Sequence, residues 1–276
     1  MKKQRSFSVL RGVGALVFVT SVAVPGTAQE HDDDSKPFVP PTVFQAAGPT
    51  PASIQSSVDQ YRAALGAVNN GNNSARDSGR REINWDGGGS ATSPGSTPFT
   101  VFLNTRGANI TTPGTGFVQA PLDGLVTTFG NLTYASIFQA FSPVRFFSPV
   151  GSNKTEVEFF LPGSQGTIPA TTTGFGAVFS DVDRPNGSGP RGRLGNLLAS
   201  THIEYFDEDG DLLFASVVPA SPGDASVSFF GIVFGDARIA RVRITTGDKA
   251  PGGNDTRRRD IVMMDDFLYG EPKAIQ

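Results

Sequence analysis

Glu82, Asp86, Asp265 and Asp266 are the acidic side chains of this 276-residue chain whose placement suggests shared chemistry. In many jelly rolls the first and last strands lie side by side, which would bring these four carboxylates together as oxygen ligands for a hard cation such as calcium. Strand alternation sends Asp265 and Asp266 to opposite faces, so both reach one site only through a bulge. The competing reading is that either acid accepts hydrogen bonds from Arg80 or Arg81. Asp181 and Asp183, two apart at a strand end, form a second candidate, open to a ligand or serving as turn caps. Asp207, Glu208, Asp209 and Asp211 resemble a calcium loop only in composition. An EF-hand needs Gly at its sixth position and Glu at its twelfth, where Val218 stands, so a solvated hairpin turn is expected.

Other chemistry is sparsely supplied. With no cysteine, a thiol nucleophile, a thiolate zinc site and disulfides are all excluded. His202 falls in an expected strand with no nucleophile elbow or zinc-binding helix nearby, and is expected to be a packed or surface residue. Trp85, the sole tryptophan, suits either a sugar platform or a plug at the core edge. Arg257, Arg258 and Arg259 sit between Asp255 and Asp260, which points to a partly neutralised, solvated loop.

The elements that must position these groups are mostly strands. A mix of 33 Gly, 20 Pro and 22 Phe suits short strands joined by many turns. Strands are expected over 100–104, 155–161, 174–180, 200–206, 212–217, 226–233, 237–245 and 261–268. In 237–245 a bulge or slip near Ala240 is required, because Ile239 and Val242 are three apart. The pairs Phe146-Phe147, Phe159-Phe160 and Phe229-Phe230 set neighbouring rings on opposite faces of strands covered on both sides. Thr50-Pro51 reads as a helix start, and Ile54, Val58, Tyr61 and Leu65 form a narrow apolar stripe stopped by Gly66. The predicted fold is therefore all-β: a jelly-roll-like β-sandwich at 80–272, preceded by one short amphipathic helix at 51–66 and a polar linker at 67–79.

Residues 1–28 read as a secretory signal peptide, with a basic start, an apolar run of about 13 residues and Gly26-Thr27-Ala28 as the cleavage site. Residues 29–50 read as a flexible, Pro-rich leader. The product is expected to be secreted or periplasmic, with no membrane span in the mature chain. A net charge of -3 provides no field for gathering nucleic acid.

The segments 58–66, 78–87, 112–117 and 174–183, with the ending Met264-Asp265-Asp266-Phe267-Leu268-Tyr269-Gly270-Glu271-Pro272, resemble secreted, functionally uncharacterised β-sandwich proteins of environmental bacteria. The resemblance implies a fold and no activity, and the C-terminal sorting anchor of some relatives is not seen here. The reading is an exported, non-enzymatic β-sandwich that binds an extracellular polysaccharide or matrix, with a structural calcium at Glu82, Asp86, Asp265 and Asp266, and ligand contacts from Trp85, Asp181 and Asp183. Two other classes stay open: a structural or adhesive envelope protein, and a glycan hydrolase using Glu82, Asp181, Asp183 or Asp265.

Overall fold

The computed structural model describes residues 39–184, 201–256 and 259–275. The signal-peptide expectation and the first ten residues of the leader lie outside them. Among the described residues, an eight-stranded antiparallel sheet runs β1 (Thr42–Gly48), β12 (Val227–Val233), β9 (Gly174–Ser180), β14 (Met263–Gly270), β6 (Phe146–Val150), β5 (Gly116–Ala120) and β3 (Ser93–Gly95), with β2 (Arg80–Ile83) also pairing with β14. A five-stranded sheet runs β11 (Leu212–Val217), β10 (His202–Phe206), β13 (Arg241–Thr245), β7 (Lys154–Phe159) and β4 (Ala108–Thr111). β8 (Ala170–Thr171) and β15 (Lys273–Ala274) form a separate pair. The helices are α1 (Pro51–Leu65), α2 (Leu103–Arg106), α3 (Leu122–Phe129) and α4 (Tyr134–Ile137). The chain passes repeatedly from one sheet to the other, as a jelly-roll-like sandwich requires.

The two sheets share one core. Phe175, Ala177 and Phe179 of β9 and Phe230 and Ile232 of β12 meet Val157, Ile203, Tyr205, Val242 and Ile244 from the smaller sheet. Val178, Val227 and Phe229, the alternate residues, point the other way and pack on Ile54, Val58, Tyr61 and Leu65 of α1. β9 is thus covered on both faces, which is why its sequence reads as an unbroken apolar run. Phe146 and Phe147 divide likewise, Phe147 into the shared core and Phe146 against Leu125, Tyr134 and Ile137 of α3 and α4.

The stripe on α1 is buried as its spacing predicts. Room for it comes from Gly176 and Gly231, paired across β9 and β12 beneath the Tyr61 ring. A Cβ at Gly176 would lie 2.9 Å from Tyr61 Cε1 and 2.9 Å from the Gly231 Cα. Gly176→Ala should therefore cost about 1–3 kcal/mol by overpacking, measured as a lower denaturant midpoint; an unchanged midpoint would mean that α1 is not held against this face.

Four expectations need correction. Thr42–Gly48 is not flexible leader but edge strand β1, paired along its length with β12; Pro40 and Pro41 precede it and break no ladder bond. Residues 100–104 form a turn leading into α2, not a strand, because Phe99 and Phe102 are spaced for a helical turn and both pack on Trp85. The short helices α3 and α4 add cover that a single-helix reading leaves out. The linker at 67–79 is anchored: the buried Arg81 guanidinium donates to the carbonyls of Gly71, Asn73 and Ser74, to that of Thr105, and to both Glu271 oxygens at 2.6 Å. The slip at Ala240 is present, Ile239 bridging to Thr172 while β13 starts at Arg241.

Candidate metal centre

β14 does bulge. Met264 opposes Phe179 and Phe267 opposes Ala177, so three steps on β14 face two on β9, and the extra residue lies at Asp265-Asp266. Both carboxylates consequently turn toward one hydroxyl. Ser142 Oγ lies 2.6 Å from Asp266, 3.3 Å from Asp265 and 3.2 Å from Asp86. Asp86, Asp265 and Asp266 thus meet at one point, as their places in the sequence predict. Protein donors, however, fill the places a cation would take: Phe141 N–H donates to Asp265, and Val144 and Arg145 N–H donate to Asp86. Glu82 faces Arg62 at 2.9 Å and Arg80 at 2.6 Å, and Arg62 also lies 3.8 Å from Asp266. The arginine that reaches this acidic pair is Arg62 of α1, in place of Arg80 or Arg81. These four acids tie β2, β14, α1 and the 141–145 loop together, and the calcium set expected there is corrected accordingly.

Burial, and next the charge of Asp266, push Asp265 well above the usual carboxylate range, while burial raises Asp266 to about 6. A native carboxyl with a raised pKa keeps a proton that the unfolded chain has lost. Stability attributable to Asp266 is therefore present below pH about 4 and lost as pH rises through about 6. In chelator, the wild type should gain stability on acidification from pH 6.5 to 4 more steeply than Asp266→Asn, by up to about 1.4 kcal/mol per pH unit. Parallel urea-midpoint profiles would refute this.

Among the described residues, the acids close enough together to hold a metal lie elsewhere. Asp183, Asp255 and Asp260 each offer a carboxylate oxygen, all within 4.8 Å of one another. β9 delivers Asp183: after Ser180 the backbone takes a left-handed step at Asp181 (φ 70°), whose N–H donates to the Ser226 carbonyl, and Val182 then plugs the shared core. The segment between β13 and β14 supplies the other wall. Asp248 and Asp260 exchange backbone and side-chain bonds, Asp260 N–H donating to Asp248 Oδ1 at 3.0 Å, and Asp255 Oδ1 accepts the Ile261 N–H. Gly247 makes this turn with φ 59°, so close to the Asp260 carbonyl that a side chain there would overlap it.

Asp181 is 0 % exposed and Asp260 1 %, and none of their four carboxylate oxygens makes a hydrogen bond. The Asp183 N–H faces Asp260 and lowers its pKa a little, but lies outside hydrogen-bond geometry. Burial and then the neighbouring acids raise Asp181 to about 9, Asp260 to about 8 and Asp255 to about 6, with Asp183 also raised. Buried polar oxygens without partners are rare, because desolvation costs roughly 1–3 kcal/mol each or more when charged. An all-oxygen donor set of this kind fits a hard divalent cation. Comparison with known protein families, curated proteins and solved structures gave no match to this chain.

Asp181 and Asp183 were legible as candidates because they fall at a strand end beside a Gly/Pro-rich loop. Asp255 and Asp260 were not, since the adjoining arginines suggested neutralisation; the signal available was the turn-forming Gly252-Gly253-Asn254 before Asp255. Trp85 is 1 % exposed, stacks on Phe147 at 3.9 Å and donates its indole N–H to the Asp265 carbonyl, so it is a core plug and offers no face to a sugar. His202 is buried in β10 beside Glu204. The 207–211 acids form the hairpin turn expected, Asp207 Oδ1 accepting the N–H groups of Asp209 and Asp211. No helix among the described residues is long and apolar enough to cross a membrane.

Proposed function

We propose that the protein is an exported, non-enzymatic β-sandwich that binds polysaccharide and is stabilised by calcium at Asp183, Asp255 and Asp260. The observation that carries the ion is the pair of buried, partnerless carboxylates at Asp181 and Asp260 beside that triad. Calcium is favoured over magnesium because it accepts irregular shells of six to eight oxygens, including loop carbonyls, where magnesium demands a near-octahedral set. The signal peptide read in the sequence supports export, where calcium is abundant.

The ligand surface we assign to a groove of about 350 Å³ lined by Glu158, Phe160, Asp207, Asp209 and Arg241. Its half-buried ring and mixed charges suit the apolar face and hydroxyls of a sugar. A panel of neutral and acidic polysaccharides, assayed by affinity electrophoresis with calcium, should retard the wild type. Retardation should fall at least tenfold in Phe160→Ala and Arg241→Ala. Absence of retardation by every polysaccharide removes the sugar from the proposal, and equal retardation of the variants moves it off this groove.

A further inference from the structure

The four strands that end the two sheets are not equally protected. β3 spans three residues and carries Pro94, β4 spans four, and β11 is bulged, Tyr205 opposing Phe214 while Phe206 opposes Leu212. Short length, proline and bulges keep a sheet edge from pairing with another chain. β1 has none of them. Its seven residues, 42–48, hold no charge and no proline, and they pair with β12 without a break from Thr42↔Val233 to Gly48↔Val227. Among the described residues no second strand pairs with β1, so the outward half of its backbone donors and acceptors has no ladder partner. Thr42, Val43 and Gln45 are exposed along it.

The sequence of β1 complements itself. Antiparallel pairing of two copies with Gln45 opposite Gln45 sets Phe44 against Ala46 and Val43 against Ala47, a large side chain against a small one on each face of the extended sheet. The two Gln45 amides, each both donor and acceptor, can bond one another across the two-fold axis. Phe44 already lies edge-on to Tyr61 of α1, with centroids 5.4 Å apart, which holds its ring in place. Charge selects the same direction. Between the expected cleavage site and β1 the chain carries Glu30, Asp32, Asp33 and Asp34 against Lys36. Parallel pairing would start both acidic segments at one end of the ladder. Antiparallel pairing places the two Thr42 residues roughly 20 Å apart along the strands, beyond the Debye length of about 8 Å in physiological salt. The same acids, poor strand formers, make that segment an ill-suited partner for β1.

We propose that two copies of the chain join β1 to β1 in an antiparallel, two-fold pair, which makes one continuous sheet of their two eight-stranded sheets. A contact that uses the same strand on both copies closes at the dimer. One strand pair with its flanking side chains is a small interface, and a micromolar dissociation constant is expected. The contact uses no residue of the metal triad or of the polysaccharide groove, and it stands or falls apart from both.

The test is sedimentation velocity on the purified mature chain, residues 29–276, over a concentration series. The wild type should pass from monomer to dimer. Gln45 is exposed, so Gln45→Lys and Gln45→Glu should keep the wild-type far-UV spectrum and melting temperature. Each sets like charges face to face on the axis and should weaken the dimer about tenfold or more. An equimolar mixture of the two variants should recover dimer, because lysine then faces glutamate. Val43→Lys, at a second exposed position, should weaken the dimer likewise and serves if a Gln45 variant loses its fold. A wild type that stays monomeric to about 100 μM overturns the proposal, as does growth beyond the dimer. Variants that dimerise as tightly as the wild type remove the contact from β1, and a mixture that stays monomeric overturns the pairing of Gln45 with Gln45.

Discussion

Millimolar calcium raises the melting temperature of the protein by several degrees over its value in EDTA, and Asp260→Asn abolishes the rise; this is the expected result of a thermal scan. A ligand bound only by the folded state at about 100 times its dissociation constant adds about 2.7 kcal/mol. For a domain of this size each kcal/mol moves the midpoint by about 2–4 °C, so the shift is roughly 5–10 °C. Asp260 is the residue to change because it is a triad member, buried, and without a hydrogen bond to lose, so the variant should fold. Magnesium at the same concentration should give a smaller shift. A flat response to calcium would leave Asp181 and Asp260 as buried acids kept neutral by protons, consistent with their raised pKa values of about 9 and about 8.

The second large effect is expected at Arg81. Its guanidinium is 0 % exposed, faces Glu271 with two bonds of 2.6 Å, and satisfies four backbone carbonyls of the 71–74 and 105 segments. Arg81→Met removes every one of these donors and leaves Glu271 buried without its counter-charge, although Asn70 Nδ2 and Arg76 N–H still donate to it. Breaking a buried pair from one side typically costs about 3–5 kcal/mol. Urea denaturation should show a loss of that order, and proteolysis should begin in the 67–79 segment. Adding Glu271→Gln should restore a large part of the stability, since no charge then remains buried alone. A loss under about 1 kcal/mol would mean that the segment is not held by Arg81.

What the sequence determined by itself is local. Short apolar runs bounded by turn residues place β9 and β11 at their observed bounds, and the 4, 3, 4 spacing of Ile54, Val58, Tyr61 and Leu65 fixes which face of α1 is buried. Both follow because the repeat of a strand or helix is set by the backbone and is written directly into residue order. The sequence also supplies the requirement for a bulge if Asp265 and Asp266 are to meet.

What only the tertiary structure decided is which polar groups share an environment. Strand β1 could not be read because an edge strand is stabilised by the neighbour it pairs with, here β12 some 185 residues later. The convergence of Asp86, Asp265 and Asp266 was legible, but their occupants were not, because donors such as the Phe141 and Val144 N–H groups belong to a loop whose path no periodicity encodes. The metal triad joins Asp183 to Asp255 and Asp260 across more than 70 positions. Whether a carboxylate there holds a proton, an arginine or a cation depends on burial and on which donors reach it, and both quantities arise only once the two sheets have closed.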